Sequence, residues 1–180
     1  MDIRLTRDGR LDPDGRTAKP HFGELVIGGG TAFASASNPS AEVIDGTGVS
    51  AGRSNGCTLT TTAGSIEIDR AGTYLVELNL ADFSCGAASG NVEFIPQYAP
   101  DGTTYAAFGA TAATGGGGRM SAIRLALTTK ESIASSKVQL LAKGSKVRCV
   151  VTSAAGNAIT VTEGALRVTQ LADATVATPD

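Results

Sequence analysis

The sequence predicts an all-β fold: an antiparallel β-sandwich of eight to ten strands behind a short extended N-terminal arm. Three observations carry that expectation. From Gly23 onward apolar residues recur with a period of two, the period of a strand that lays one face on a core. Turn signals containing glycine divide the chain into short segments, at Arg70-Ala71-Gly72, Pro100-Asp101-Gly102, Lys143-Gly144-Ser145 and Ala155-Gly156-Asn157. Nothing reads as a helix of the length that βαβ units need, since the one helical candidate, Thr129 to Ser136, is too short to build a layer.

Residues 1–22 form the arm. The first 20 residues carry nine charged side chains, against 23 in the remaining 160. Asp8-Gly9-Arg10 and Asp14-Gly15-Arg16 repeat one turn signal, and Pro13 and Pro20 discourage a helix. Mixed charge suits an arm that orders on a partner surface bearing both signs; a leader without structure is the alternative.

The sandwich domain spans 23–172, and 173–180 form a C-terminal tail. Strands are expected at Glu24 to Ile27 and Thr31 to Ala36, with Gly28-Gly29-Gly30 as the turn between them, then at Cys57 to Thr61 and Ser65 to Asp69. In the segment TYLVELNL, Tyr74, Val76, Leu78 and Leu80 share a face opposite Glu77 and Asn79. Asn91 to Tyr98 alternates in the same way, but Pro96 lacks a ladder donor, so this strand is expected at an edge, bulged or ending there. Ala122 to Thr128, Val138 to Leu140, Lys146 to Thr152, Ala158 to Thr162 and Ala165 to Leu171 complete the set. Two long stretches interrupt it: Ser35 to Gly56, a loop with one short strand at Ala41 to Ile44, and Gly109 to Arg119, with four consecutive glycines.

Composition narrows the function classes. At 180 residues and 18.1 kDa the chain has room for one domain. It holds only 39 Leu, Val, Ile and Phe but 86 Ala, Gly, Thr and Ser, so further burial is expected from contacts between subunits. A net charge of −2 supplies no general footprint for nucleic acid. No apolar run approaches a membrane span, and MDIRLTRDGR scatters charge where a secretory signal needs an apolar core, so synthesis in the cytoplasm is expected.

Catalytic and metal-binding patterns fail on context. Gly115 to Gly118 lacks the Lys-Ser/Thr pair and the helix of a phosphate loop, and TAFASAS after Gly28-Gly29-Gly30 alternates like a strand rather than opening a helix. His21 is the single histidine, expected in a structural role at the junction of arm and domain. Cys57 and Cys149 fit strand positions as small apolar fillers, and Cys85 beside Gly86 is expected to be exposed. Asp8, Asp12 and Asp14 lack the closing Glu of a calcium loop. Glu67 and Glu77 sit on polar strand faces where they could flank one another, with no spacing that identifies a hydrolytic pair. The chain is read as non-enzymatic, with no cofactor and no metal.

Two stretches carry a likeness to a known family: Ala71-Gly72-Thr73-Tyr74-Leu75-Val76, a turn leading into an aromatic strand, and VQLLAKGSKVRCVV from Val138 to Val151, two strands around a Lys-Gly turn. In this order the chain resembles the trimeric jelly roll of the tumour necrosis factor and complement globular-head superfamily, and in particular phage virion proteins of that shape. The resemblance implies a jelly-roll sandwich over Gly23 to Leu171 whose last hairpin, Ala158 to Leu171, turns at Glu163-Gly164. It implies a homotrimeric capsid decoration (cement) protein, assembled in the host cytoplasm onto the outer surface of a tailed-phage head, with the major capsid protein as partner and neither nucleic acid nor membrane. The arm residues Ile3, Arg4, Leu5, Arg7, Arg10, Leu11, Arg16 and Lys19 are then the expected capsid contacts. The alternative is a host-recognition module of a head or tail fibre, its rim formed by 35–56 and 109–119 with Tyr105 and Phe108 beside it.

Overall fold

The computed structural model describes residues 20–34, 42–85, 91–109, 122–125, 131–153 and 158–173. Among them, two antiparallel sheets face each other. The five-stranded sheet runs in the order β10 (Glu131–Leu141), β6 (Gly72–Cys85), β12 (Ala158–Asp173), β1 (Phe22–Ala34) and β3 (Val49–Asn55). The second sheet has seven strands. Its main path is β4 (Cys57–Thr60), β5 (Ser65–Ile68), β11 (Lys146–Ser153), β7 (Asn91–Ala99) and β8 (Ala106–Ala107); β2 (Glu42–Val43) joins β11, and β9 (Ala122–Leu125) joins β7.

Alternation puts the large apolar side chains between the sheets. Leu25, Ile27, Tyr74, Val76, Leu78, Leu80, Phe83, Leu166 and Val168 from the first sheet meet Ile66, Ile68, Phe94, Tyr98, Val147 and Val151 from the second. One aromatic pair joins the two layers and a second packs within the seven-stranded side. Phe83 meets Phe94 edge to face at 5.0 Å, and Tyr98 stacks on Phe108 at 5.5 Å.

The all-β sandwich is as expected, with more and longer strands than the eight to ten read from the sequence. The segment 131–136, read as helical, begins β10: it pairs with β6 from Glu131 opposite Phe83 to Leu141 opposite Gly72. The 35–56 loop contains β3, which pairs with β1 through Val49, Ser50, Ala51, Ser54 and Asn55, a run with no apolar alternation. Two expected turns are bulges inside continuous strands. In β1 the register with β12 shifts between Gly28 and Thr31, where Gly29 takes a φ of 81°. In β12 it shifts around Glu163-Gly164, so the expected final hairpin is a single strand of 16 residues.

That second bulge resets the phase of burial. Ile159 and Val161 face the core before it, and Leu166 and Val168 face the core after it. Gly164 is favoured by proximity, because a β-carbon there would collide with the buried Leu80 side chain and lie 3.0 Å from the Asn79 carbonyl oxygen.

β7 continues through Pro96, which lies opposite Cys149 on β11. Its carbonyl accepts from the Phe108 amide at 3.4 Å, so the missing N–H points to the side of β8 and β9. There Pro96 falls between the residues paired with β8, Gln97 and Tyr98, and those paired with β9, Asn91 to Phe94. The proline therefore costs the ladder no bond, and the strand need not end.

Two substitutions test this packing in urea unfolding of the intact chain. Phe94→Ala should cost about 3–5 kcal/mol through loss of a buried ring and its cavity. Gly164→Val should cost about 1–3 kcal/mol by forcing β12 away from β6. A stability unchanged in both variants contradicts the packing described.

Candidate functional site

The expected contact residues Ile3, Arg4, Leu5, Arg7, Arg10, Leu11, Arg16 and Lys19 lie outside the described residues, as do Asp8, Asp12, Asp14 and Gly115 to Gly118. The structure does describe the point where the arm joins. The Asn55 side-chain amide donates to the Pro20 carbonyl (3.1 Å), and the Gln170 amide donates to the His21 carbonyl (2.7 Å). His21 Nδ1 lies 3.2 Å from the Gly56 carbonyl oxygen, which makes it the donor. The histidine is thus a structural clasp. At the same end Asp173 closes β12, accepting from Arg70 at 2.9 Å and from Gln170 at 2.8 Å. Chain entry and exit are neighbours there.

The outward faces of the two sheets differ in chemistry. On the five-stranded sheet one cross-strand row is Val138, Leu75, Thr169 and Phe22, with Leu140 opposite Thr73 in the next row. A polar row follows, Ser136, Glu77, Arg167 and Glu24, in which Arg167 Nε donates to Glu24 Oε1 at 2.6 Å. Beyond it lie Ala134, Asn79, Ala165 and Val26. Among the described residues the four exposed large apolar side chains, Val26 (39%), Val138 (54%), Leu140 (61%) and Leu171 (55%), all belong to strands of this sheet. Shallow depressions on this face are lined by Glu24, Val26, Asn79, Ala165 and Arg167, and by Phe22, Arg53 and Thr169.

The outer face of the seven-stranded sheet is polar around Lys146 and Arg148, while the next outward row holds Val150 and Ile95, both buried. Glu67 lies opposite Lys146 and 3.7 Å from its ammonium group, and Arg148 lies opposite Gln97. Glu67 and Glu77 therefore occupy opposite outer surfaces of the sandwich and do not flank one another. Tyr105 is half-buried beneath the Arg148 guanidinium, and Phe108 is fully buried, so the expected rim aromatics are respectively engaged and inaccessible.

The cysteines are free and buried, Cys85 included at 4% exposure, contrary to its expected exposure. It closes β6 on the core side, opposite Ile159. Burial, with a smaller contribution from the Asp69 charge, pushes the Cys57 thiol up to about 12, and burial raises that of Cys149 as well. Among the described residues no group of three His, Cys, Asp or Glu side chains is placed to hold a metal ion.

No protein-family model and no curated protein matches the sequence. Solved structures do resemble the fold. Eiger TNF from S. frugiperda aligns with a TM-score of 0.59 at 13% identity, covering 90% of this chain and 99% of that one. The globular domain of zebrafish complement 1qA gives 0.56 at 8% identity, covering 85% and 98%; murine APRIL at pH 5.0 gives 0.54 at 13%, covering 85% and 100%. The fold is the jelly roll of these domains, and at such identities the likeness shows the fold alone.

The buried thiols give a measurable expectation. At pH 8 the native chain should react with DTNB at none of its three cysteines, and at all three once unfolded in guanidinium. Stability should fall as pH rises from the ordinary thiol value of 9.0 toward about 12, because the unfolded chain releases a Cys57 proton that the folded chain retains. Burial raises the Tyr74 hydroxyl too, which acts in the same direction. A stability that rises over that interval contradicts the assignment.

Proposed function

We propose that this chain is a non-enzymatic structural virion protein that assembles as a homotrimer through the outer face of its five-stranded sheet and decorates the head of a tailed phage. The observation that carries the reading is the segregation of Val26, Val138, Leu140 and Leu171 onto that one sheet. Apolar surface gathered on a single face is what an oligomer interface buries. The small core supply of the sequence makes such burial worth having, and the resemblance noted in the sequence supports three subunits.

The capsid contact falls to the arm. It joins at the end of the sandwich where Phe22 opens β1 and Asp173 closes β12, leaving the seven-stranded face turned away from the subunit contact. A trimer with three arms crosses several capsomer boundaries at once, stabilising the assembled shell by mass action and by multivalent attachment. A second reading, a host-recognition module of a fibre, draws on the polar face around Arg148 and Tyr105.

Light scattering at micromolar concentration should return a mass near three times 18.1 kDa. Leu140→Glu combined with Val138→Glu should reduce it to one subunit while the strand-dominated circular dichroism persists; an unchanged mass rejects this interface. Cosedimentation with intact capsids tests the partner. Deleting residues 2–19 should preserve the trimer and sharply lower capsid occupancy, and added salt should weaken binding by the full-length form. Equal occupancy with and without the arm rejects the arm as anchor, whereas adsorption to host cells without capsid binding favours the recognition reading.

A further inference from the structure

The polar face of the seven-stranded sheet carries a guanidinium held in one orientation by groups that do not neutralise it. Arg148 on β11 lies opposite Gln97 on β7, and Gln97 lies opposite Ala107 on β8. Tyr105 precedes Ala107 by two residues and so shares its side of the sheet. Two contacts fix the side chain. Nε donates to Gln97 Oε1 at 2.8 Å, and the guanidinium carbon lies 3.7 Å from the centroid of the Tyr105 ring.

These contacts use one N–H and one face of the plane. The Nη pair, the edge that matches a carboxylate with two parallel hydrogen bonds, has no hydrogen-bond partner among the described residues. Nor does any described carboxylate lie within 4.0 Å of it; the charge of Asp45 is felt at longer range, and Glu67 is committed to Lys146. Partial burial works against the charge of Arg148, so a bound anion relieves a cost already present in the free protein.

The surroundings select the kind of molecule that brings the carboxylate. Thr58 and Thr60 are exposed on β4, one strand beyond β5, Gln97 and Lys146 are half-buried, Ile95 and Val150 in the next row are buried, and no exposed large apolar side chain lies on this sheet among the described residues. A protein partner normally needs an apolar or aromatic anchor at the centre of its footprint. A hydrated sugar chain instead needs hydroxyl, amide and charged groups on an open surface.

We propose that Arg148, oriented by Tyr105 and Gln97, is the receiving group for the carboxylate of an acidic polysaccharide laid across the outer face of the seven-stranded sheet. The site goes beyond the capsid role and does not depend on it. Its position opposite the proposed subunit face would leave it open in the assembled protein, where repeated copies multiply a weak single contact.

The full-length protein should be tested by biolayer interferometry against immobilised oligogalacturonate, its methyl ester and neutral dextran. Binding is expected to the free acid alone. Arg148→Met should weaken it by about tenfold or more, the scale of a lost charge-assisted hydrogen-bond pair. Arg148→Lys keeps the charge but loses the fork, and should remain well below the wild type. Circular dichroism and solution mass of each variant establish that the fold and oligomer persist; if Arg148→Met misfolds, the comparison of acid with ester on the wild type and the Arg148→Lys measurement still decide. Equal binding of acid and ester, or of Arg148→Lys and wild type, overturns the proposal. So does Arg148-dependent binding of polyglutamate in the absence of binding to the acidic sugar, which would mark a protein partner. Loss of trimer or of capsid binding in the other variants bears on the preceding reading and leaves this site unaffected.

Discussion

β12 lies between β6 and β1 along most of its length, and the two pairings build the centre of the five-stranded sheet from the last strand of the described chain, the first strand and a strand from its middle. Continuity of that strand depends on the bulge around Glu163-Gly164, which changes phase so that Ile159 and Val161 on one side and Leu166 and Val168 on the other all face the same core. Without the phase change, one half of the strand would turn its apolar set to solvent. The close approach at Gly164 lets the bulged backbone remain against Leu80 and Asn79. Because these pairings join distant parts of the sequence, loop-closure entropy must be met before the sheet is stabilised, so the topology favours slow, cooperative folding.

With the core filled by inward residues, the two outer surfaces take different chemical characters. Val138, Leu140 and Leu171 make the five-stranded face apolar toward the end where the chain enters and leaves, while Glu77, Arg167 and Glu24 cross it as a charged row. In the proposed trimer that row is the feature that aligns subunits: charges taken out of water must keep partners, so only packings that preserve the Arg167 to Glu24 contact or replace it are accessible. Among the described residues the opposite face has no exposed large apolar side chain, and on it Glu67 pairs with Lys146 and Arg148 lies against the Tyr105 ring. One surface is thus suited to burial and the other to contact through water-exposed polar groups.

Strand positions were most legible where alternation was uninterrupted. Tyr74 to Leu80, Ser65 to Ile68 and Lys146 to Thr152 all lie in observed strands, because each segment displays its buried face locally. Legibility failed where local chemistry had two meanings. Gly28-Gly29-Gly30 and Glu163-Gly164 carry turn signals, yet a bulge uses the same residues without reversing the chain. Glu131 to Ser136 contains residues compatible with a helix, but pairing along β6 overrides so weak a preference. β3 has no apolar period to find, since its middle residues, Ser50 to Ser54, are small or polar and only partly covered.

The sequence by itself determined an all-β chain, the inward residues of its clearest strands, a structural place for His21 and the distinct composition of the arm, because period, turn chemistry and charge are local properties. Tertiary structure alone decided that Val138 and Leu140 share an outer face with Leu75 and Phe22, that Glu67 and Glu77 face opposite directions, and that Cys85 is covered. It likewise brought Tyr105 under Arg148, 43 positions apart in the sequence, through the successive registers of β8, β7 and β11. The reason is that alternation specifies which side of its own strand a residue occupies, whereas its neighbours and its exposure are specified by strands that the chain supplies much earlier or later.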